Sequence, residues 1–178
     1  GYYYNTVDLN ALLYGMEEKT QKEANETPSG YQIATEIVES IKKDNKYMVY
    51  IKEAEKIGMN TYYHNHTEEF EDLKDGKNAM DIIGEQCKLE VDTYWSFCAG
   101  IKNSEYLPAH KEQIALIHIK DGKDHKPTAL GEGENDLLDI VKGVKEIGLE
   151  WVILENDDPV PTGLQDITRS YKWLKENF

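Results

Sequence analysis

From residue 59 onward the sequence alternates short, β-rich apolar runs with amphipathic stretches, and every run ends in a side chain that can titrate or bind a metal. The first run, 59–65, is rich in tyrosine and closes on Tyr62-Tyr63-His64-Asn65-His66, with Glu68 and Glu69 just beyond. The second, 88–94, closes on Glu90-Val91-Asp92-Thr93-Tyr94-Trp95. The third, 114–120, closes on His118-Ile119-Lys120-Asp121, and the fourth, 150–155, on Glu155-Asn156-Asp157-Asp158. Helical patterns lie between them: one from Ala79 to Ile83, one that Asn103 or Ser104 would cap, one from about Asp136 to Glu146, and one from Gly163 to Asn177. Gly148 follows the third of these, where a left-handed cap suits glycine. Strands separated by helices predict a parallel sheet of βα units, and all-α and all-β folds are excluded.

The four units average about 30 residues each, so eight would need about 240, close to the ~250 of a closed (β/α)8 barrel. The chain has 178 residues, which leaves room for about five strands. Ahead of residue 59, Tyr2 to Leu9 reads as a strand and Glu17 to Thr27 as a solvated loop or frayed helix. Two helical patterns follow, one with Ile33, Ile37 and Ile41, the other with Tyr47, Ile51, Ala54 and Ile57 before Gly58. The expectation is a single partial domain over 1–178, in which 59–178 carries the four clearest βα units.

Charge narrows the partners. Twenty basic residues against thirty-four acidic ones give a formal charge of −14, which repels phosphate backbones and anionic lipid surfaces. Nucleic acid and membrane partners are therefore not expected. No apolar run approaches the ~20 residues of a membrane span, and no secretion signal is legible, so a cytoplasmic protein is expected. The two cysteines, Cys87 and Cys98, form no scaffold and fit a reduced compartment.

In parallel βα folds the reacting groups sit at the carboxyl ends of strands. Strand alternation places His64 with His66, Leu116 with His118 and Lys120, and Trp151 with Ile153 and Glu155, each set on one face. One imidazole or carboxylate from each of four strand ends can thus meet at one point. Imidazole and carboxylate donors without thiolate suit Mn²⁺, Zn²⁺, Co²⁺ or Fe²⁺. Each residue also has a plainer reading. Asp92 suits a helix cap, Glu155 a solvated acidic loop, and Lys120 with Asp121 an exposed ion pair of little weight. Trp95, Trp151 and Trp173 suit packing, and Gly131-Glu132-Gly133-Glu134 lacks phosphate-loop spacing.

Five motifs occur in order: Tyr63-His64-Asn65-His66 with Glu69-Phe70; Leu89 to Trp95 with Ala99-Gly100; Ile117 to Asp121; Leu130 to Gly133; and Glu150 to Glu155. Together they resemble the sugar phosphate isomerase/epimerase family of the xylose-isomerase-like TIM barrels, over about residues 45–178. The resemblance implies an α/β fold, a (β/α)8 barrel of which this chain carries the last five or so strands and lacks the N-terminal units. It implies a divalent metal at the carboxyl end, manganese first, with zinc, cobalt or magnesium as alternatives. Asp92, His118 and Glu155 match its ligands. His64 stands where many relatives, the ketose 3-epimerases among them, carry a glutamate; it completes the ligand set, with His66 as the alternative. Glu155 and His64 would act on the proton, while His66, Glu69, Trp95 and Lys120 fall near positions that touch sugar in relatives. The implied activity is a metal-dependent isomerase or epimerase acting on a sugar, keto-sugar or sugar phosphate through an enediolate. A dehydratase resembling inosose dehydratase, and a non-catalytic sugar-binding fragment, are the alternatives. A partial barrel has open edges, which leaves pairing into a homo-oligomer open.

Overall fold

The structure, a computed structural model, describes residues 6–8, 38–43, 46–73 and 76–178. The chain divides into two compact units, Gly1–Leu89 and Glu90–Phe178.

In the first unit, strand β1 (Thr6–Asp8) pairs in parallel with β2 (Asn60–His64), Val7 lying opposite Thr61. A parallel pair requires a crossover, and helix α1 (Lys46–Lys56) packs against β2. Ile51 and Ala54 bury its inner face. The expected stripe does not reach Ile57, which is 71% exposed. The helix stops at Lys56 and turns through Gly58, at a φ of 75° that favours glycine. Helix α2 (Ala79–Gly84) begins with a capping box: Asp81 N donates to Asn78 Oδ1 at 2.9 Å and Asn78 N donates to Asp81 Oδ2 at 3.1 Å. Its Ala79, Met80, Ile82 and Ile83 are buried. Of the expected N-terminal strand only Thr6–Asp8 lies within the described residues, and the loop at 17–27 and the positions of Ile33 and Ile37 lie outside them. Strand β3 (Lys88–Asp92) runs from the first unit into the second.

The second unit continues with α3 (Thr93–Cys98), α4 (Asn103–Ala109), β4 (Ile114–Ile119), the short strands β5 (Asp121–Lys123) and β6 (Lys126–Thr128), α5 (Leu137–Ile147), β7 (Ile153–Leu154) and α6 (Gly163–Asn177). Strands β4 and β7 are parallel, with His118 opposite Ile153 and Ile119 opposite Leu154. Three expectations change here. The run 88–94 does not stay extended: the Asp92 carboxylate accepts from Tyr94 N and Trp95 N, which turns Thr93 and Tyr94 into the first residues of α3. Neither Asn103 nor Ser104 caps α4. The Asn103 side chain turns inward to the Thr93 carbonyl and Ser96, while Ser104 N is satisfied by Asp139 from α5. The run 150–155 is ladder-paired over only two residues.

The hairpin β5–β6 is an addition to the expected βα rhythm. Its two-residue turn, Asp124-His125, has φ of 52° and 59°, the positive values that a tight turn matched to strand twist demands. Core packing centres on α4 and α5. A Cβ on Gly143 of α5 would lie 2.9 Å from the Asn103 carbonyl, so only glycine admits this helix approach. Leu107, Ile117, Ile119 and Ile140 are fully buried. Parallel strands joined through helices are the repeating element of a (β/α)8 barrel of which the chain carries a part. Among the described residues no helix is long and apolar enough to cross a membrane.

Removing the Ile140 side chain beyond Cβ opens a cavity against α4. Ile140→Ala is expected to lower unfolding free energy by about 2–5 kcal/mol, whereas Leu138→Ala, on the opposite face of the helix and 63% exposed, shifts it by no more than about 0.5 kcal/mol. Urea denaturation of the two variants checks both.

Candidate active site

Within the unit 90–178, three strand ends bring titratable side chains together. His118, next to last in β4, faces carboxylates through both ring nitrogens: Nδ1 lies 2.7 Å from Glu155 Oε2 and Nε2 lies 3.0 Å from Glu90 Oε1. A neutral imidazole offers one N–H and satisfies one of these; the imidazolium satisfies both. Burial pushes the His118 pKa down, but its hydrogen bonds to Glu155 and Glu90 and their negative charges outweigh that and raise it to about 9. Thr93 Oγ1 donates to the His118 carbonyl at 2.8 Å, which fixes the start of α3 against β4.

Lys120 follows on the same face of the strand. It is 1% exposed, so the exposed-pair reading fails, and its ammonium sits among three carboxylates. Asp92 Oδ2 lies at 3.5 Å and Glu155 Oε2 at 3.4 Å, and Asp157 accepts a short hydrogen bond from it. Burial pulls its pKa down, but the charges of Asp92, Glu155 and Asp157 and the Asp157 hydrogen bond hold it above the usual lysine value. The ammonium also lies 5.1 Å from the ring centre of Trp95, whose face is stacked with His125 from the hairpin tip at 6.4 Å. Trp95 therefore bridges the buried lysine and an exposed turn.

Asp92 serves two purposes. One oxygen, Oδ1, caps α3, and the other faces Lys120. Taking one donor atom from each, Asp92, His118 and Glu155 lie within 4.8 Å of one another. Imidazole nitrogen and carboxylate oxygens at that separation form a donor set suited to a divalent ion.

Asp121 points the other way, into the glycine-containing loop that follows the hairpin. Its Oδ1 accepts from Gly122 N at 2.8 Å and Asn135 N at 3.1 Å, and its Oδ2 from Gly131 N at 2.9 Å and Gly133 N at 3.0 Å. Helix α6 holds the same loop from outside, through Ser170 Oγ accepting from Leu130 N and Arg169 pairing with Glu132.

In the first unit the remaining candidates gather at the end of β2. Glu69 is buried, accepting from Tyr63 Oη at 2.7 Å and from His66 N at 2.9 Å. The rings of His64 and His66 meet edge to face with centres 5.4 Å apart.

Glu90, Asp157 and Asp121 carry more of this geometry than the sequence suggested. Glu90 was accessible to reasoning, since it shares a strand face with Asp92. Asp157 gave no comparable signal, because it lies in a loop whose path sets its reach. A strand-end triad with a buried ammonium beside it can hold a cation, donate a proton to a developing oxyanion and accept one from carbon.

A family model for the xylose isomerase-like TIM barrel matches residues 29–177. Comparison with curated proteins finds no match. Among solved structures, a sugar phosphate isomerase/epimerase from Parabacteroides distasonis is similar at 22% identity and a TM-score of 0.59, over 84% of this chain and 56% of that one. A 3-keto-D-glucoside 4-epimerase from E. coli is similar at 15% identity and 0.58, over 84% and 56%. A D-allulose 3-epimerase from Methylomonas sp., in complex with D-allulose, is similar at 15% identity and 0.52, over 74% and 53%. The chain spans slightly more than half the length of each.

Loop closure over Asp121 depends on the absence of a side chain at Gly133, where a Cβ would collide with Asp121 Oδ1 and the Gly122 backbone. Gly133→Ala is expected to cost about 1–3 kcal/mol, whereas alanine at Lys123, which is exposed, stays within about 0.5 kcal/mol. Thermal unfolding of the two variants checks this.

Proposed function

The chain belongs to the xylose isomerase-like TIM barrel family, and from that premise we propose that it is a divalent-metal-dependent sugar isomerase or epimerase. The observation that carries this reading is the meeting of Asp92, His118 and Glu155 within 4.8 Å. Those three residues would hold the ion. His64, at the end of β2, enters as the fourth ligand from the resemblance of its motif, and His66 is its alternative. The donor set holds no sulfur, and the family resemblance puts manganese first, with zinc, cobalt or magnesium able to substitute. When bound, the ion would supply Lewis-acid polarisation of a substrate carbonyl.

Each other role falls to a side chain already described. Glu155 is the base that takes the proton from the carbon beside the carbonyl. It is the most exposed of the three ligands, with a quarter of its side chain open, against 14% for His118. Asp92 gives Oδ1 to the N–H groups of α3 and turns Oδ2 to Lys120, so the proton falls to Glu155. Lys120 holds its ammonium beside Glu155 and stabilises negative charge gathering on a substrate oxygen. Trp95 offers an apolar face to the sugar ring, and Glu69, braced by Tyr63, accepts from hydroxyls along with His66. His64 enters as the second proton-handling candidate, again from the resemblance of its motif. The D-allulose complex of the Methylomonas epimerase supports a small carbohydrate as the partner. The acid excess supports a protein that binds neither nucleic acid nor anionic membranes; a cytoplasmic home and pairing with a second copy are part of the proposal.

Two measurements on the purified chain test the reading. Inductively coupled plasma mass spectrometry should find about one manganese, zinc or cobalt per chain. Asp92→Ala and His118→Ala should each weaken retention at least about tenfold, since even outer partners of a ligand cost that much. In D₂O, a ketohexose should exchange its α-proton in the metal-loaded chain and not in Glu155→Gln. Unchanged metal content in both alanine variants defeats the ligand assignment. Metal at full occupancy without exchange on any sugar favours a binding fragment, and a dehydrated product favours a lyase.

A further inference from the structure

As a metal ligand, His118 has a different task for each ring nitrogen. Holding an ion takes the lone pair of one nitrogen, which leaves the ring's single N–H on the other. The structure separates the two. Nδ1 faces Glu155, a member of the same donor group, at 2.7 Å. Nε2 faces Glu90 Oε1 at 3.0 Å, and Glu90 is not a member of that group.

Strand alternation places Glu90 there. In β3 the side chains of Leu89 and Val91 are fully buried on one face, while Glu90 and Asp92 share the other. Asp92, at the strand end, faces Lys120. Glu90, two residues earlier, meets the neighbouring strand β4 at His118. Its side chain is 16% exposed, and a carboxylate withdrawn from water needs a partner. Among the described residues His118 is the one hydrogen-bond and ion-pair partner that Glu90 has. Asp92 and Glu155 both have an ammonium beside them; Glu90 has the imidazole.

This pairing sets the direction of the ring. A half-turn about its bond to the chain would bring carbon, in place of nitrogen, against both carboxylates. Once Nδ1 gives its lone pair to an ion, its bond to Glu155 is gone, and the bond to Glu90 remains to hold the ring against that turn. Metal-ligating histidines are commonly oriented by an outer carboxylate in this way. Thr93 Oγ1, which donates to the His118 carbonyl at 2.8 Å, fixes the backbone of the same residue from the end of β3.

We propose, on the metal-dependent reading above, that Glu90 is a positioning residue: it accepts from His118 Nε2–H and thereby holds Nδ1 toward the ion.

The test uses the full chain with ¹⁵N-labelled histidine, stripped with EDTA and reloaded with diamagnetic Zn²⁺. Long-range ¹H–¹⁵N correlation, with His118 identified by the loss of its signals in His118→Gln, should show Nδ1 metal-bound and Nε2 protonated. Mn²⁺ affinity, measured by competition with a chelating dye, should fall at least about tenfold in Glu90→Ala. Glu90→Gln keeps an oxygen that accepts from Nε2–H and should lose less than about threefold. A pair that served stability alone would lower the Tm of Glu90→Ala and leave its Mn²⁺ affinity at the wild-type value. That result overturns the proposal, as does Zn²⁺ held through Nε2, or a Glu90→Gln as weak as Glu90→Ala. If Glu90→Ala does not fold, the nitrogen assignment in wild type decides. A wild type that takes up no ion defeats the metal-dependent reading and this proposal together, whereas the other adverse results defeat the proposal and leave that reading standing.

Discussion

A single buried ammonium makes the acidic end of residues 90–178 tenable. Asp92, Glu155 and Asp157 would repel one another at the separations found, and Lys120 lies among all three. Loss of one partner from a buried ion group costs about 3–5 kcal/mol, mostly because the remaining charge is left uncompensated. The ammonium also joins three stretches of chain distant in sequence: the end of β3 through Asp92, the end of β4 through its own backbone, and the loop after β7 through Glu155 and Asp157. The chemistry proposed for the site presupposes this arrangement, because Glu155 is aimed by His118 on one side and Lys120 on the other.

The carboxylates here do structural and chemical work with different oxygens. Asp92 spends Oδ1 on the first N–H groups of α3 and leaves Oδ2 toward the site. The helix start thereby fixes the direction of the remaining oxygen, which is the preorganisation that a metal ligand or an electrostatic stabiliser needs. Cap and ligand had been competing readings of this residue, and the cap proves to be what positions the second oxygen. Asp121 is the limiting case, in which both oxygens are consumed by backbone and none is left for a ligand.

What was legible in the sequence divides along physical lines. The βα rhythm, the capped start of α5 at Asp136, its stop at Gly148 and the span of α6 follow from local periodicity and capping chemistry, which act within a few residues. Strand alternation put His118 and Glu155 each on one face of its strand end, while the choice of Asp92 beside them came from the family resemblance. Features set by contacts distant in sequence were not legible. The pairing of β7 over only two residues, the inward turn of Asn103 and the reach of Asp157 to Lys120 are of this kind. The hairpin was hidden for a different reason: Asp124-His125 takes the positive φ values usually supplied by Asn-Gly, so its turn carries a weak local signal. Trp95 was expected to pack or to touch sugar, and the structure shows the packing, with Lys120 on its ring and His125 stacked against it.

The adjacent pair Lys120-Asp121 shows how much depends on register. Successive residues of an extended chain point to opposite sides, so the ammonium enters the acidic cluster and the carboxylate enters the ring of N–H groups. Both placements follow from the alignment of β4 with β7, His118 against Ile153. A slip of one residue would exchange the two. It would bring an ammonium up to four N–H donors and add a carboxylate to three others, leaving both environments uncompensated. Electrostatics on the two sides of one strand end thus select the same register that the hydrophobic pattern selects, and the side that forms the site cannot be altered without disturbing the side that folds the loop.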